Sequence, residues 1–255
     1  MNEQIRHANL LKLLEQKGIL SVPELVDFLK VSPATVRRDI TKLSTEGKLK
    51  KIRNGIETIS YFFNETQSNK LKKIDNLKIS NLDEKTRIAN KAATLCKDGE
   101  SVILTCGTTM MVLGRTLCKR NLQVITNFLP LANYLIENDH ESVVITGGQY
   151  NKNQAITLYS NNLNDAFYAD IVFTSGKGLT TQGLYKTDVL IANSEQQILP
   201  KTSKLVVLLD SSKLDKAVGM LFTELKNISL LITGKEANPH IINKLRASGL
   251  NIILA

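Results

Sequence analysis

Residues 32–43 read SPATVRRDITKL, and this pattern decides how the first part of the chain folds. Ser32 offers a hydroxyl that accepts from a first-turn backbone N–H, and Pro33 falls at the first helical position, where a missing N–H costs nothing. A helix is therefore predicted to start at Pro33. In it Val36, Ile40 and Leu43 share one face, which turns Ala34, Arg37, Arg38 and Thr41 to the opposite side. That outward face carries little bulk, so it fits a DNA major groove, and its arginines suit guanine edges or phosphates. A three-helix bundle with a solvated basic face would show the same pattern.

Working outward, Ile5, Ala8, Leu11 and Leu14 recur at helical spacing before Gly18, and Val22, Leu25, Val26 and Leu29 repeat the stripe after Ser21. Two short amphipathic helices are predicted ahead of the third. Downstream, KLKKIRNGIETI contains Asn54-Gly55, a strong hairpin signal, flanked by Lys50, Lys51 and Arg53. A basic ribbon beside a helix-turn-helix lays its cations along the phosphate backbone, adding affinity and salt dependence rather than sequence choice.

The run from Arg6 through GILSVPELVDFLKVSPATVRRDITKL to the hairpin resembles the N-terminal domain of the DeoR family of bacterial transcription regulators, a winged helix-turn-helix. Ser32, Thr35, Arg37, Arg38 and Asp39 form that family's S-x-x-T-x-R-R-D signature. The chain departs from the pattern in the wing, where Arg53-Asn54-Gly55 stands in place of the usual His-Gly-Gly. The resemblance implies that Ser32, Ala34, Thr35, Arg37, Arg38, Thr41, Lys50, Lys51 and Arg53 face double-stranded operator DNA. Readers of this type act as homodimers or homotetramers on paired half-sites.

The chain has 255 residues, 42% hydrophobic and 22% charged, which suits two folded units rather than one. Its net charge of +9 is uneven: +4 over residues 1–60, +2 over 61–82 and +3 over 83–255. The basic surplus per residue is several-fold higher over the first 82 residues than over the rest, as a polyanion partner requires, although a solvated lysine-rich surface would give the same surplus. No apolar run approaches the about 20 residues of a membrane span, and no signal-peptide core precedes residue 12. With three cysteines at spacings that suit neither disulfides nor zinc, and three scattered histidines, the expectation is a cytoplasmic protein with no cofactor or metal. The predicted organisation is a DNA-binding domain over 1–58, a linker over 59–82 in which Tyr61, Phe62 and Phe63 await a packing partner, and an α/β domain over 83–255.

From residue 83 short apolar runs (101–105, 123–126, 142–146, 170–174, 204–209, 229–233, 251–254) alternate with segments of helical length. Such alternation predicts a mostly parallel sheet covered on both faces. Polar or glycine-rich loops follow five of these runs, and in open parallel sheets such loops form the ligand crevice. Gly107, Thr108 and Thr109 resemble a phosphate cradle at a helix N-terminus. Asn127, Gly147 and Gly148 lie on the same edge, as do Lys177 and Gly178. Lys177 and Lys213 would donate to an anion, while Asp210 and Asn127 suit the hydroxyls of a polyol. Tight turns alone would also place glycines after strands. Cys106 lacks a histidine partner and is not read as a nucleophile.

The family resemblance continues here. DeoR-family sensor domains are similar to the sugar-phosphate isomerase and CoA-transferase fold and bind phosphorylated sugars. Segments such as ITNFLPLANYLI, GGQYNKNQ, FTSGKGL and KLVVLLDSSK resemble those of family members that control L-ascorbate utilisation, which implies an effector of the L-ascorbate 6-phosphate type. The function expected is a repressor of a sugar operon, not an enzyme. An isomerase using Asp210, Glu195 and Lys213 is the alternative, as is an activator of the same anatomy.

Overall fold

The structure is a computed structural model that describes residues 2–58, 79–158 and 168–255. At the N-terminal end the elements are α1 (Glu3–Lys17), β1 (Ile19–Ser21), α2 (Val22–Leu29), α3 (Pro33–Thr45), β2 (Lys50–Ile52) and β3 (Gly55–Glu57). Ser32 caps α3 as expected, its Oγ accepting from Thr35 N at 3.2 Å. Ser21 and Glu24 cap the start of α2 reciprocally. Leu10, Leu14, Leu25, Leu29, Val36, Ile40 and Leu43 bury together between the three helices, joined by Leu20 and Ile56 from the ribbon.

Two local expectations need correction. The buried stripe of α1 runs through Leu10 and Leu14, whereas Ile5 and Ala8 are exposed. The helix is rotated because Arg6 and His7 turn inward to the buried carboxylate of Asp39 on α3, with Arg6 Nε donating to Oδ2 at 2.6 Å and His7 Nε2 lying 3.1 Å from Oδ1. The hairpin also turns one residue earlier than Asn54-Gly55 suggests: Ile52 pairs with Gly55, leaving Arg53 and Asn54 as the turn, with Asn54 at φ 61°. Gly55 is required for another reason. A Cβ there would lie 2.4 Å from the carbonyl oxygen of Leu20, because β3 is the middle of three strands ordered β1-β3-β2. β1 is three residues long and defined by that pairing, so no periodicity announced it.

The C-terminal part is built on seven parallel strands: β4 (Ser101–Leu104), β5 (Gln123–Thr126), β6 (Ser142–Ile145), β9 (Ile171–Thr174), β12 (Leu205–Leu208), β14 (Leu230–Thr233) and β15 (Ile252–Leu254). All seven were expected. Their order is β15-β14-β12-β9-β4-β5-β6. Alternate residues feed opposite faces: Val102 and Leu104 join the core cluster with helices α4 (Leu82–Ala93), α5 (Thr108–Leu117) and α6 (Leu129–Glu137), while Ile103 joins the cluster on the other side that includes Ile242 and Leu245 of α8 (Pro239–Ala247). From β4 the chain runs outward through β5 and β6, then returns to place β9 against the other edge of β4. The switch point of the sheet therefore lies between β4 and β9, where parallel α/β sheets open a crevice.

Two additions were not expected. A hairpin of β7 (Gln149–Asn151) and β8 (Ile156–Leu158) follows β6, so the loop predicted after that strand is partly extended structure. A small antiparallel sheet of β10 (Gly178–Thr180), β11 (Gly183–Lys186) and β13 (Met220–Glu224) sits beside helix α7 (Val189–Gln196). These strands are short and interrupted by glycine and turn residues, so their sequences read as loops. The expected linker falls mostly on residues 59–78, outside the described residues, as do Tyr61, Phe62 and Phe63. No described helix is long and apolar enough to cross a membrane.

Candidate functional site

Burying Val36, Ile40 and Leu43 leaves Ser32, Ala34, Arg37, Arg38 and Thr41 exposed on one side of α3, with Thr35 half-buried. Arg37, Arg38 and Arg53 pair with no acid among the described residues. Asp39, the acid of the signature, points the other way: burial works to raise its pKa, but hydrogen bonds from Arg6 and His7 outweigh that and hold it below the usual value. Its role is to fix α3 on α1. The wing belongs to the same surface as the helix, since Lys51 Nζ lies 3.4 Å from Thr41 Oγ1. Lys51 and Arg53 are exposed, while Lys50 is drawn toward Glu57 at 3.9 Å.

At the switch point the loops after β4 and β9 border a cavity of about 140 Å³. Gly107, at φ 118°, adopts a backbone conformation that disfavours any side chain, and it begins α5 with no side-chain cap. The first-turn N–H groups of α5 thus stay available at the cavity wall formed by Thr108 and Thr109. Lys177 and Lys213 line the same space, as expected, together with Lys186, which was not. Ser175 also lines it, and its buried Oγ has no hydrogen-bond partner among the described residues. A cradle of helix N–H groups, lysine ammonium groups and an unpaired hydroxyl is suited to a small anion.

The remaining predicted residues do not line this cavity. Asp210 is buried behind it, 3.4 Å from Lys213 Nζ and 3.7 Å from Lys85 Nζ, and it accepts from Asn81 and Ser212. Burial alone would raise its pKa, but Lys213 and Lys85 hold it far below the carboxylate range, so it stays charged beside Lys213. Lys85 is itself lowered to about 8 by burial. Asn127 donates from Nδ2 to Thr157 O at 2.9 Å, and its buried Oδ1 has no hydrogen-bond partner among the described residues. Gly147 and Gly148 lead into the β7–β8 hairpin, and Gly178 packs β10 against the Lys216 backbone.

Residues that sequence reasoning missed come from the small sheet, the hairpin and the wing. Lys186 ends β11 and donates to Glu195 at 2.5 Å and to Thr174 Oγ1 at 2.9 Å. Cys106 leans on the same Glu195, and burial pushes its thiol up to about 12, so it is no nucleophile. Asp188 caps α7 and accepts from Gln154 Nε2 at 3.1 Å, and both side chains line the cavity. Lys50 and Glu57 of the wing line it as well. GLYKTD and GGQYNKNQ hold Lys186, Asp188 and Gln154 in plain sight, but only the chain path brings them to one place.

Residues 6–62 match the DeoR-like helix-turn-helix domain, and residues 80–235 match the DeoR C terminal sensor domain. The chain is 50% identical over 254 residues to the HTH-type transcriptional regulator UlaR of Escherichia coli O1:K1 / APEC, covering 99% of both chains. The UlaR of Shigella boydii serotype 18 gives the same figures, 50% over 254 residues and 99% of both chains. Among solved structures, ribose 5-phosphate isomerase A from Methanocaldococcus jannaschii overlaps with a TM-score of 0.41 at 22% identity, over 53% of this chain and 55% of that one. The eIF2B beta subunit from Chaetomium thermophilum overlaps with a TM-score of 0.43 at 14% identity, over 66% of this chain and 54% of that one. An exposed basic helix with its wing, a cavity at the carboxyl ends of the parallel strands, and two domain matches that together span both place the chain in the DeoR family of transcriptional regulators.

Proposed function

We propose that this protein represses a sugar-utilisation operon by binding operator DNA through Arg37, Arg38, Thr41 and the wing cations Lys50, Lys51 and Arg53, and releases it when a phosphorylated sugar enters the cavity. The observation that carries the reading is the cradle itself. The α5 N-terminus with Gly107, Thr108 and Thr109 receives the phosphate, Lys177 and Lys213 neutralise it, and Asp210 holds Lys213 in place. The sugar hydroxyls fall to Asp188 and Gln154, a role that sequence reasoning gave to Asn127 and Asp210. The effector is of the L-ascorbate 6-phosphate type. This rests on the resemblance of ITNFLPLANYLI, GGQYNKNQ and KLVVLLDSSK to regulators of L-ascorbate utilisation. The working assembly is a homodimer or homotetramer, since palindromic half-sites require paired helices.

Catalysis is disfavoured by the engagement of the candidate base. Glu195 accepts from Lys186 at 2.5 Å, from Thr174 at 3.0 Å and from Cys106 at 3.7 Å, and it does not border the cavity where a sugar would sit. A thermal-shift screen of sugar phosphates, followed by operator binding by fluorescence anisotropy, tests the reading. L-ascorbate 6-phosphate is expected to raise the melting temperature and weaken operator binding. If no phosphorylated sugar changes operator affinity at saturation, the reading fails.

A further inference from the structure

The DNA-binding unit and the anion cradle share a boundary. Lys50 of β2 and Glu57 of β3 belong to the wing, yet they line the cavity with Gly107 and Lys177. Glu57 is buried, and its carboxylate is paired with Lys177, the cation assigned to the effector phosphate. Burial works to raise the Glu57 pKa, but Lys177, then Lys50 and Lys213, hold it below its ordinary value, so the carboxylate is charged in place. A second ion pair, Lys216 Nζ to Glu24 Oε1 at 2.8 Å, joins the first turn of α2 to the chain between Lys213 and β13. Both pairs hold the DNA-binding unit on the mouth of the cavity while leaving Arg37 and Arg38 exposed.

We propose that Glu57 is an internal occupant of the effector's anion subsite: it latches the wing to Lys177 in the operator-competent orientation, and an anionic sugar displaces it. This deepens the proposed reading of the cavity and rests on it. The physical argument is exclusion. A carboxylate and a phosphate cannot both occupy one ammonium group at close range without like-charge repulsion in a partly desolvated space. Displacing Glu57 leaves only the Glu24 pair among the ion pairs described between the two units, so the recognition helix loses its fixed attitude. Two half-sites at a set spacing cannot be engaged together by helices whose orientation is free. The sign follows: ligand binding opens the latch and releases DNA, and by reciprocity DNA binding closes it and opposes the ligand.

The test uses the full chain and four proteins: wild type, Glu57→Gln, Glu57→Ala and Lys177→Met. L-ascorbate 6-phosphate binding is measured by calorimetry, and operator binding by anisotropy with and without it. A latch closed in most molecules taxes the ligand by the open fraction, so removing the carboxylate is expected to tighten ligand binding, by about tenfold if one molecule in about ten is open. Operator binding by both Glu57 variants is expected to be weaker than wild type and nearly indifferent to ligand. Lys177→Met is expected to bind the ligand poorly. Agreement between the Gln and Ala variants separates the charge from any packing change. If both Glu57 variants bind the ligand no more tightly than wild type while Lys177→Met is impaired, the latch is refuted and the cavity reading survives. If wild type and both Glu57 variants give no binding, both fall.

Discussion

Replacing Arg37 and Arg38 together with alanine is the sharpest test of the DNA-binding surface. Neither guanidinium pairs with an acid among the described residues and both are exposed, so their loss should leave folding within about 0.5 kcal/mol of wild type. On DNA the effect is large. A bidentate arginine–guanine contact discriminates by about 1–3 kcal/mol, so two such contacts amount to about 2–6 kcal/mol per recognition helix, or roughly 30-fold to more than 10,000-fold. The salt dependence gives an independent measure. Arg37, Arg38, Lys51 and Arg53 are exposed on α3 and the wing, and each cation that neutralises a phosphate contributes about −0.9 to the slope of log affinity against log salt. An arginine that reads a base leaves that slope nearly unchanged when removed, whereas one that clamps phosphate lowers it by about 0.9. Anisotropy titrations with a duplex selected by the wild-type protein, and with its scrambled counterpart, at several salt concentrations separate these contributions. A double variant that keeps wild-type preference for the selected duplex would refute the assignment of α3 as the reading helix.

Three further outcomes are expected. Gly55→Ala places a Cβ 2.4 Å from Leu20 O, which is backbone and cannot swing aside, and should cost about 1–3 kcal/mol in urea unfolding of the DNA-binding unit; unchanged stability would mean the ribbon packs differently. Asp39→Asn should destabilise the protein near neutrality, with the gap to wild type closing in acid. Because the folded Asp39 pKa is depressed, its contribution is complete above the ordinary value of 3.8 and is lost as pH falls through the lower folded value. Melting curves between about pH 3 and pH 7 check this, and a gap that does not vary with pH would remove the carboxylate from the explanation. Thr108→Glu puts a negative charge at the N-terminus of α5, inside the cradle, and should abolish the response to L-ascorbate 6-phosphate. A normal ligand response would place the phosphate elsewhere.

The division between what was legible and what was not follows the range of the interactions. Ser32-Pro33, the Val36/Ile40/Leu43 stripe and the seven apolar runs act over a few residues, and each locates its element from the sequence alone. The loops after β4 and β9 could also be placed on one edge, because parallel strands send their carboxyl ends the same way. The sequence likewise determined the basic outward face of α3, since burying one side of a helix exposes the other.

Tertiary structure decided the rest. The pull of Asp39 on Arg6 and His7 rotated α1 away from the stripe its spacing suggested. β1 and the small sheet of β10, β11 and β13 exist through distant partners, and they supply Lys186 to the cavity. Asp210, read as a ligand for a hydroxyl, lies outside the cavity lining, buried beside Lys213 and Lys85. Glu57 is an acid within a basic wing, with no local pattern to set it apart. Only the packing of the wing against the strand ends, some 120 positions away along the chain, set its carboxylate on Lys177. A contact of that separation leaves no periodic trace, because it depends on where the whole chain returns rather than on its neighbours.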